Sequence, residues 1–282
     1  MEKRPILAIM YDFDHTLSPR DMQEYGFIPD LGMEADAFWH KCVTAMKQNQ
    51  MDQILAYMYM MLEEAKGKLI VNRSMLRALG KDVQLFDGVS DWFARVNDYA
   101  ESKGLVPEHY IISSGLKEII EGTPIAQEFK EIYAASFCYD EHGVACWPAM
   151  AVNYTSKTQF LFRVNKGVLD VTEHRALNEF MPEEKRRVPF SNMIYIGDGL
   201  TDVPSMKLTK LNGGHSIAVW QEDEQISNEM LLEGRVDFAV KADYSRGSDM
   251  EKMVFAIIDQ IAASAKTAQM HVAACDRAKN AV

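Results

Sequence analysis

Four short, nearly continuous apolar runs, Ile6 to Tyr11, Tyr110 to Ile112, Met193 to Ile196 and Ile217 to Trp220, constrain this chain more than any other feature. Each is too short for a buried helix and lacks polar alternation, the pattern of strands covered on both faces in a parallel sheet. Segments of helical period separate them, including Val89 to Lys103, Thr158 to Lys166 and Asp249 to about Lys266. In the last, Val254, Ile257, Ile258, Ile261 and Ala265 share a face, and Ser248 with Glu251 forms a capping box. The fold class is therefore α/β. An aromatic-rich stretch from Ile132 to Tyr154, with Asp140-Glu141-His142-Gly143 at its turn, predicts a β-hairpin.

One region departs from this plan. From about Pro19 to Asp82 the pattern is helical throughout, with no strand-like run, and Ile54, Met58, Met61, Leu62 and Ala65 lie on one face of a helix that follows another over Ala35 to Met46. A chain of 282 residues has room for a full-sized core plus such an insert. The boundaries expected are 1–18 with 83–282 for the core and 19–82 for the insert. The methionines of the insert (Met46, Met51, Met58, Met60, Met61) read as fillers of an irregular core.

Thirty Lys and Arg against 41 Asp and Glu give a formal net charge of -11, which repels nucleic-acid backbones and anionic lipid over most of the surface. A small anionic substrate is compatible with that charge, because a metal ion or a few buried cations reverse the potential inside a pocket. The four cysteines, Cys42, Cys138, Cys146 and Cys275, have neither metal-knuckle spacing nor disulfide-framework density, which points to a reducing, cytoplasmic setting. No apolar stretch reaches membrane-spanning length, and the run after Lys3-Arg4 is too short for a secretory signal. Neither nucleic acid nor membrane is expected as a partner, and the sequence leaves the oligomeric state open.

The chemistry-bearing residues follow the predicted strands. Asp12-Phe13-Asp14-His15-Thr16-Leu17 comes directly after the first run, and Gly197-Asp198-Gly199-Leu200-Thr201-Asp202 directly after the third. Carboxyl ends of parallel strands are where open α/β sheets hold ligands. One such pair is compatible with turn or capping duty. Two pairs converging there need a cation to remain ionised, and oxygen ligands of this kind suit Mg²⁺. Ser113-Ser114-Gly115 follows the second run and precedes a helical pattern, which offers a hydroxyl and free backbone N–H groups to an anion. Ser156 and Gln159 fit a capping box that would set Lys157 in a first helical turn, where a cation is misplaced unless it serves something anionic.

These four elements, in this order, resemble the haloacid dehalogenase superfamily of hydrolases. The first motif is matched by Asp12 to Leu17, the second by Ser113, the third by Lys157 and the fourth by Gly197 to Asp202. The resemblance implies a Rossmann-like, doubly wound, mainly parallel sheet with a small helical cap inserted after the first strand, where the helical segment was read independently. It is similar to the branch that includes phosphoserine phosphatases, although its second motif reads Ser113-Ser114-Gly115 rather than Ser-Gly-Gly. By that resemblance Asp12 is the nucleophile that forms an aspartyl-phosphate, and Asp14 is general acid and then base. An Asp at this second position separates phosphatases from dehalogenating members. Mg²⁺ would be held by the Asp12 and Asp198 side chains and the Asp14 backbone carbonyl. Ser113 and Lys157 would bind phosphoryl oxygens together with Ser114 and Gly115, and Thr16 would support the nucleophile loop. Asp202 would orient metal-bound water or Lys157, or ligate the metal directly. Asp21 stands where phosphoserine phosphatases carry a carboxylate that reads the substrate's amino group.

The activity so implied is Mg²⁺-dependent hydrolysis of a small phosphorylated metabolite. A phosphotransferase or phosphomutase would use the same intermediate and deliver phosphate to another hydroxyl. A non-catalytic phosphometabolite-binding module is the remaining alternative, disfavoured because every chemical residue is present.

Overall fold

The computed structural model describes residues 4–279. Strand β1 (Ile6–Tyr11) leads into α1 (Phe27–Asp30), α2 (Ala35–Asn49), α3 (Gln53–Ala65) and α4 (Arg73–Leu79), with no strand among them. There follow α5 (Val89–Ser102), β2 (Val106–Leu116), α6 (Lys117–Ile120) and the hairpin of β3 (Phe129–Tyr139) and β4 (Ala145–Met150). The remainder comprises α7 (Lys157–Lys166), α8 (His174–Asn178), β5 (Met193–Gly197), α9 (Val203–Leu211), β6 (His215–Trp220), α10 (Gln225–Leu232), β7 (Phe238–Lys241) and α11 (Asp249–Lys279).

The strands form one sheet in the order β4-β3-β2-β1-β5-β6-β7, parallel throughout except where β3 meets β4. The chain steps outward from β1 to β3 and β4, then crosses back beside β1 and steps outward the other way. This is the doubly wound, Rossmann-like α/β arrangement with a helical insert after its first strand. A crevice opens at the carboxyl end of β1, where the winding reverses.

The apolar runs are continuous because both faces are covered. Ile6, Ala8 and Met10 enter a cluster with Leu161, Val164, Tyr195 and Met206, whereas Leu7, Ile9 and Tyr11 enter another with Trp92, Phe93, Val254 and Ile258. The second cluster runs without a break into the insert, through Phe38, Tyr57, Met58 and Met61. Met58 and Met61 are fully buried there, the core-filling role expected for the insert's methionines, whereas Met46, Met51 and Met60 are half-buried.

Several boundaries depart from the sequence reading. Strand β2 begins at Val106, paired with Ile6, and runs through Ser113-Ser114-Gly115 to Leu116, so no long helix follows the serines. Its register with β3 shifts between His109 and Tyr110 and again between Ile112 and Leu116, so the ladder is irregular where the serines lie. Helix α11 passes Lys266 to reach Lys279, because a series of alanines, Ala262 to Ala274, sustains the helix after its buried face ends at Ile261. Its capping box is half formed: the Glu251 N–H donates to Ser248 Oγ at 3.2 Å, but the Glu251 carboxylate accepts from Gly247 N at 2.6 Å. The capping box expected of Ser156 and Gln159 is absent. Asn153 Oδ1 instead accepts from the N–H of Ser156 at 3.0 Å, and the Asn153 carbonyl accepts from Lys157 N at 3.0 Å.

Beneath the crevice the Trp92 indole N–H donates to Tyr11 Oη, Tyr11 Oη to His109 Nδ1, and His109 Nε2 to Asn97 Oδ1, each at 3.0 Å. This relay requires a neutral imidazole, and burial pushes His109 down to about 3. The unfolded chain takes up a proton near pH 6.5 that the native state refuses until about 3. The contribution of His109 to stability should therefore fall as pH drops through that window, by up to roughly 5 kcal/mol, against the opposite contribution of the buried carboxyl groups described below. Denaturant midpoints measured from pH 7 to 4 should carry this contribution, and His109→Gln should shift the slope toward relatively higher stability at low pH. An unchanged slope in that variant would assign the acid sensitivity to another group.

Candidate active site

Asp12 continues the inward series Ile6, Ala8, Met10, so its side chain turns to the face that α7 covers. Its N–H donates to the Ile196 carbonyl at 2.9 Å, prolonging the β1–β5 ladder by one bond. The turn that follows is tight: the Phe13 carbonyl accepts from Thr16, Leu17 and Ser18, and His15 takes φ 57°, a left-handed conformation that non-glycine residues rarely adopt. Asp12 Oδ1 accepts from Phe13 N at 2.7 Å, and Oδ2 accepts from Lys157 Nζ at 2.6 Å. Lys157, the first residue of α7 and wholly buried, also donates to Asp202 Oδ1 at 2.7 Å. Of the roles open to Asp202, the observed contact is to Lys157. Carboxylate oxygens of Asp12, Asp198 and Asp202 lie within 4.8 Å of one another. Thr16 Oγ1 reaches Asp198 Oδ1 at 3.4 Å, joining the loop that follows β1 to the second acidic pair.

The neighbouring residues of β2 line the same crevice. Ser113 is buried, and its Oγ accepts from Gly115 N at 3.0 Å. Ser114 Oγ donates to the Val152 carbonyl at 2.7 Å, while the Ser114 carbonyl accepts from Tyr57 Oη at 2.7 Å. The Ser114 hydroxyl thus ties the loop that leads to Lys157. Gly115 is required by close approach, since a Cβ there would lie 2.8 Å from Asp14 Oδ2 and 2.1 Å from the Met22 methyl. Asp14 is fixed from the other side by Met22 N, which donates to its Oδ1 at 2.9 Å. Gly197 serves Asp202 similarly, a Cβ there falling 2.5 Å from Asp202 Oδ2. Lys166 lies at the far end of α7, where its Nζ donates to the carbonyls of Leu177 and Glu179 at 2.6 and 2.7 Å.

Burial and crowding set the charges. Burial, with Asp202 adding to it, pushes Asp12 up to about 6 despite Lys157, and burial with Asp202 and Asp12 pushes Asp198 up to about 8. Burial with Asp21 and Asp12 holds Asp14 well above the ordinary carboxylate range. Lys157 moves upward although burial opposes it, because it has two carboxylates to itself whereas each of them shares one ammonium. Contact with Asp21, 3.7 Å away, pushes His15 up to about 9. So many buried carboxyl groups around one lysine form a hard-oxygen set that is short of positive charge, which fits a divalent cation such as Mg²⁺.

Sequence reasoning missed Tyr195, whose Oη donates to Asp202 Oδ1 at 2.7 Å from within β5. A tyrosine inside an apolar strand needs a hydrogen-bond partner, and that was the available signal. It also missed Tyr57 and Asn153, which act through backbone groups that leave no pattern.

The profile of the haloacid dehalogenase-like hydrolases matches residues 9–207. The chain belongs to this family and is a hydrolase by class. An uncharacterized protein of Borreliella burgdorferi is 26% identical over 278 residues, covering 88% of this chain and 95% of that one. Among solved structures, a substrate-bound phosphoserine phosphatase complex matches with a TM-score of 0.57 at 12% identity, covering 89% of this chain and 98% of its own. A phospho-aspartyl intermediate analogue of phosphoserine phosphatase matches with a TM-score of 0.53 at 12% identity and the same coverages. These two likenesses are of fold. Among the described residues no helix is long and apolar enough to cross a membrane.

Proposed function

We propose that this hydrolase is a Mg²⁺-dependent phosphatase acting on a small phosphorylated metabolite through an aspartyl-phosphate on Asp12. The observation that carries the reading is the Asp12 carboxylate at the topological switch point, 2.6 Å from Lys157 Nζ and clustered with Asp198 and Asp202. With a pKa near 6, Asp12 is mostly ionised at neutral pH and competent to attack phosphorus in line. Burial with Asp21 and Asp12 raises Asp14, which favours the protonated form that a general acid needs to protonate the leaving oxygen, and it then serves as base toward the attacking water. Lys157 and Ser113 bind the phosphoryl oxygens whose charge must be stabilised at the transition state. Mg²⁺ held by Asp12, Asp198 and the Asp14 carbonyl would supply charge neutralisation between nucleophile and phosphate.

Phosphorylated metabolites screened with Mg²⁺ and scored by phosphate release test this. Release that EDTA abolishes is expected, and no release from any ester would overturn the reading. Adding an alcohol or sugar acceptor separates hydrolysis from phosphotransfer. The alignment of Asp14 gives a second check: Gly115→Ala should lower kcat at least about tenfold and also lower Tm, because Asp14 is pinned by Met22 N and cannot retreat from a methyl that overlaps buried Met22 as well. Unchanged kcat would show that the position of Asp14 is not critical.

We further propose that residues 1–18 and 83–282 form the catalytic core and 19–82 a lid that selects the leaving group. Of the polar lid residues that invite a substrate role, Glu24 accepts from Trp39 Nε1 at 2.8 Å and Arg73 lies over the Tyr139 ring. Gln23 is buried, and its Oε1 has no hydrogen-bond partner among the described residues. Gln23→Ala should therefore change relative kcat/KM among esters more than it changes hydrolysis of a small aryl phosphate. Equal losses on all esters would make the insert a structural brace.

A further inference from the structure

The hairpin of β3 and β4 carries chemistry that the phosphatase reading does not use. Cys138 pairs with Trp147 and Tyr139 with Ala145, which leaves Cys146 as an extra residue in a β-bulge. A bulge sets two residues of one strand opposite a single residue of the other. Alternation accordingly breaks on β4: Ala145 is buried, but Cys146 and Trp147 are both exposed, on the same side as the exposed Cys138. The Cys146 thiol reaches the carbonyl of Cys138 at 3.4 Å. Residues directly opposite on antiparallel strands have Cβ atoms roughly 4.5–5.5 Å apart, close to the disulfide range. The other cysteines lie elsewhere: Cys42 is buried in the insert, and Cys275 contacts His271 on α11.

We propose that Cys138 and Cys146 form a redox-active dithiol that closes to a cross-strand disulfide by exchange with a low-molecular-weight disulfide. One thiolate attacks a sulfur of the small disulfide, forming a mixed disulfide and releasing the first small thiolate. The second protein thiolate attacks the protein sulfur of that intermediate, forming the Cys138–Cys146 bond and releasing the second small thiolate. The two protons leave the protein thiols and end on the two small thiols, so the small disulfide is reduced as the dithiol is oxidised. Both sulfurs are exposed and on one face of the edge hairpin, so closure asks for a local adjustment of β4 rather than of the whole sheet. The resulting loop is short, residues 138–146, and encloses the Asp140–Gly143 turn. There Asp140 Oδ1 already accepts from the N–H groups of His142 and Val144 at 2.9 Å. The disulfide would fix the register of the edge strand β4, whose Ala145 N–H donates to the Val71 carbonyl of the insert at 2.8 Å.

The test is incubation of the whole protein with oxidised glutathione, followed by thiol titration in denaturant and intact-mass and peptide mass spectrometry. Titratable thiols should fall from the four of the sequence to two, with loss of two hydrogens within the 138–146 peptide and no retained glutathione. Cys146→Ser should instead hold one stable glutathione on Cys138, because the resolving thiol is gone. Three results would overturn the proposal: stable glutathione adducts on the unaltered protein at Cys138 or Cys146, both thiols intact under conditions that modify Cys275, or a disulfide formed through Cys42 or Cys275. Both positions are exposed, so the serine variant should melt with the unaltered protein, and the adduct is read independently of activity.

Discussion

Asp12→Asn should leave the protein folded and lower turnover by about four orders of magnitude or more. The amide keeps the shape of the carboxylate and can still accept from Phe13 N, so the loop closed on the Phe13 carbonyl has no reason to open. What it lacks is the charge and the nucleophilic oxygen. The remaining groups, Lys157 and Ser113, would still bind phosphate, so the loss should appear in kcat rather than in phosphate affinity. Phosphate release and a thermal melt on the same preparation check this. Near-normal release by a folded variant would remove Asp12 as nucleophile.

Lys157→Ala should be comparably severe and should also be felt in stability. Among the described residues its ammonium is the one cation in contact with both Asp12 and Asp202, and removing one partner from a buried ion pair leaves uncompensated charge that typically costs about 3–5 kcal/mol. Losing a donor to the transferring phosphoryl group costs about a hundred- to thousand-fold in kcat. The pH dependence has a definite sign. Without Lys157 the buried carboxyls titrate higher still, so the folded state holds protons that the unfolded chain releases near pH 4. Stability of the variant should therefore decline as pH rises from about 4 to 8, more steeply than in the unaltered protein. Lys166→Ala, which removes only contacts to Leu177 and Glu179, should retain near-normal turnover. If the two lysines exchange behaviour, the third motif has been placed on the wrong residue.

The contrast between these lysines marks what a sequence can reveal about such a site. Lys157 and Lys166 are equal in chemistry, but helical geometry sets them on the order of 13 Å apart, and only one can lie beside a strand end. Asp12 and Asp198 were legible for the same reason, since each follows an apolar run that must be a buried strand. Tyr195 was hidden inside such a run, where hydrophobicity explains it sufficiently. The cap of α7 was misread because Ser156 and Gln159 carry a correct local pattern, whereas Asn153 wins by using both its side chain and its carbonyl. The edge strand β7 has only four residues, and its pairing with β6 depends on a neighbour rather than on its own composition. The extension of α11 has a different origin, since alanine propensity continues a helix after the apolar stripe that predicts it has ended.

The central position of β1 also dictates an order of events during synthesis. One edge of β1 pairs with residues 106–111 and the other with residues 193–196. At typical elongation rates the ribosome needs on the order of ten to forty seconds to travel from Tyr11 to Met193. Throughout that interval the nascent chain can hold the insert and β2 in place while the other edge of β1, and the acid at its tip, have no partner. The Asp12 carboxylate acquires its lysine when α7 forms, and the second acidic pair only after β5 docks, so an early-released fragment would carry Asp12 without the groups that surround it in the folded protein.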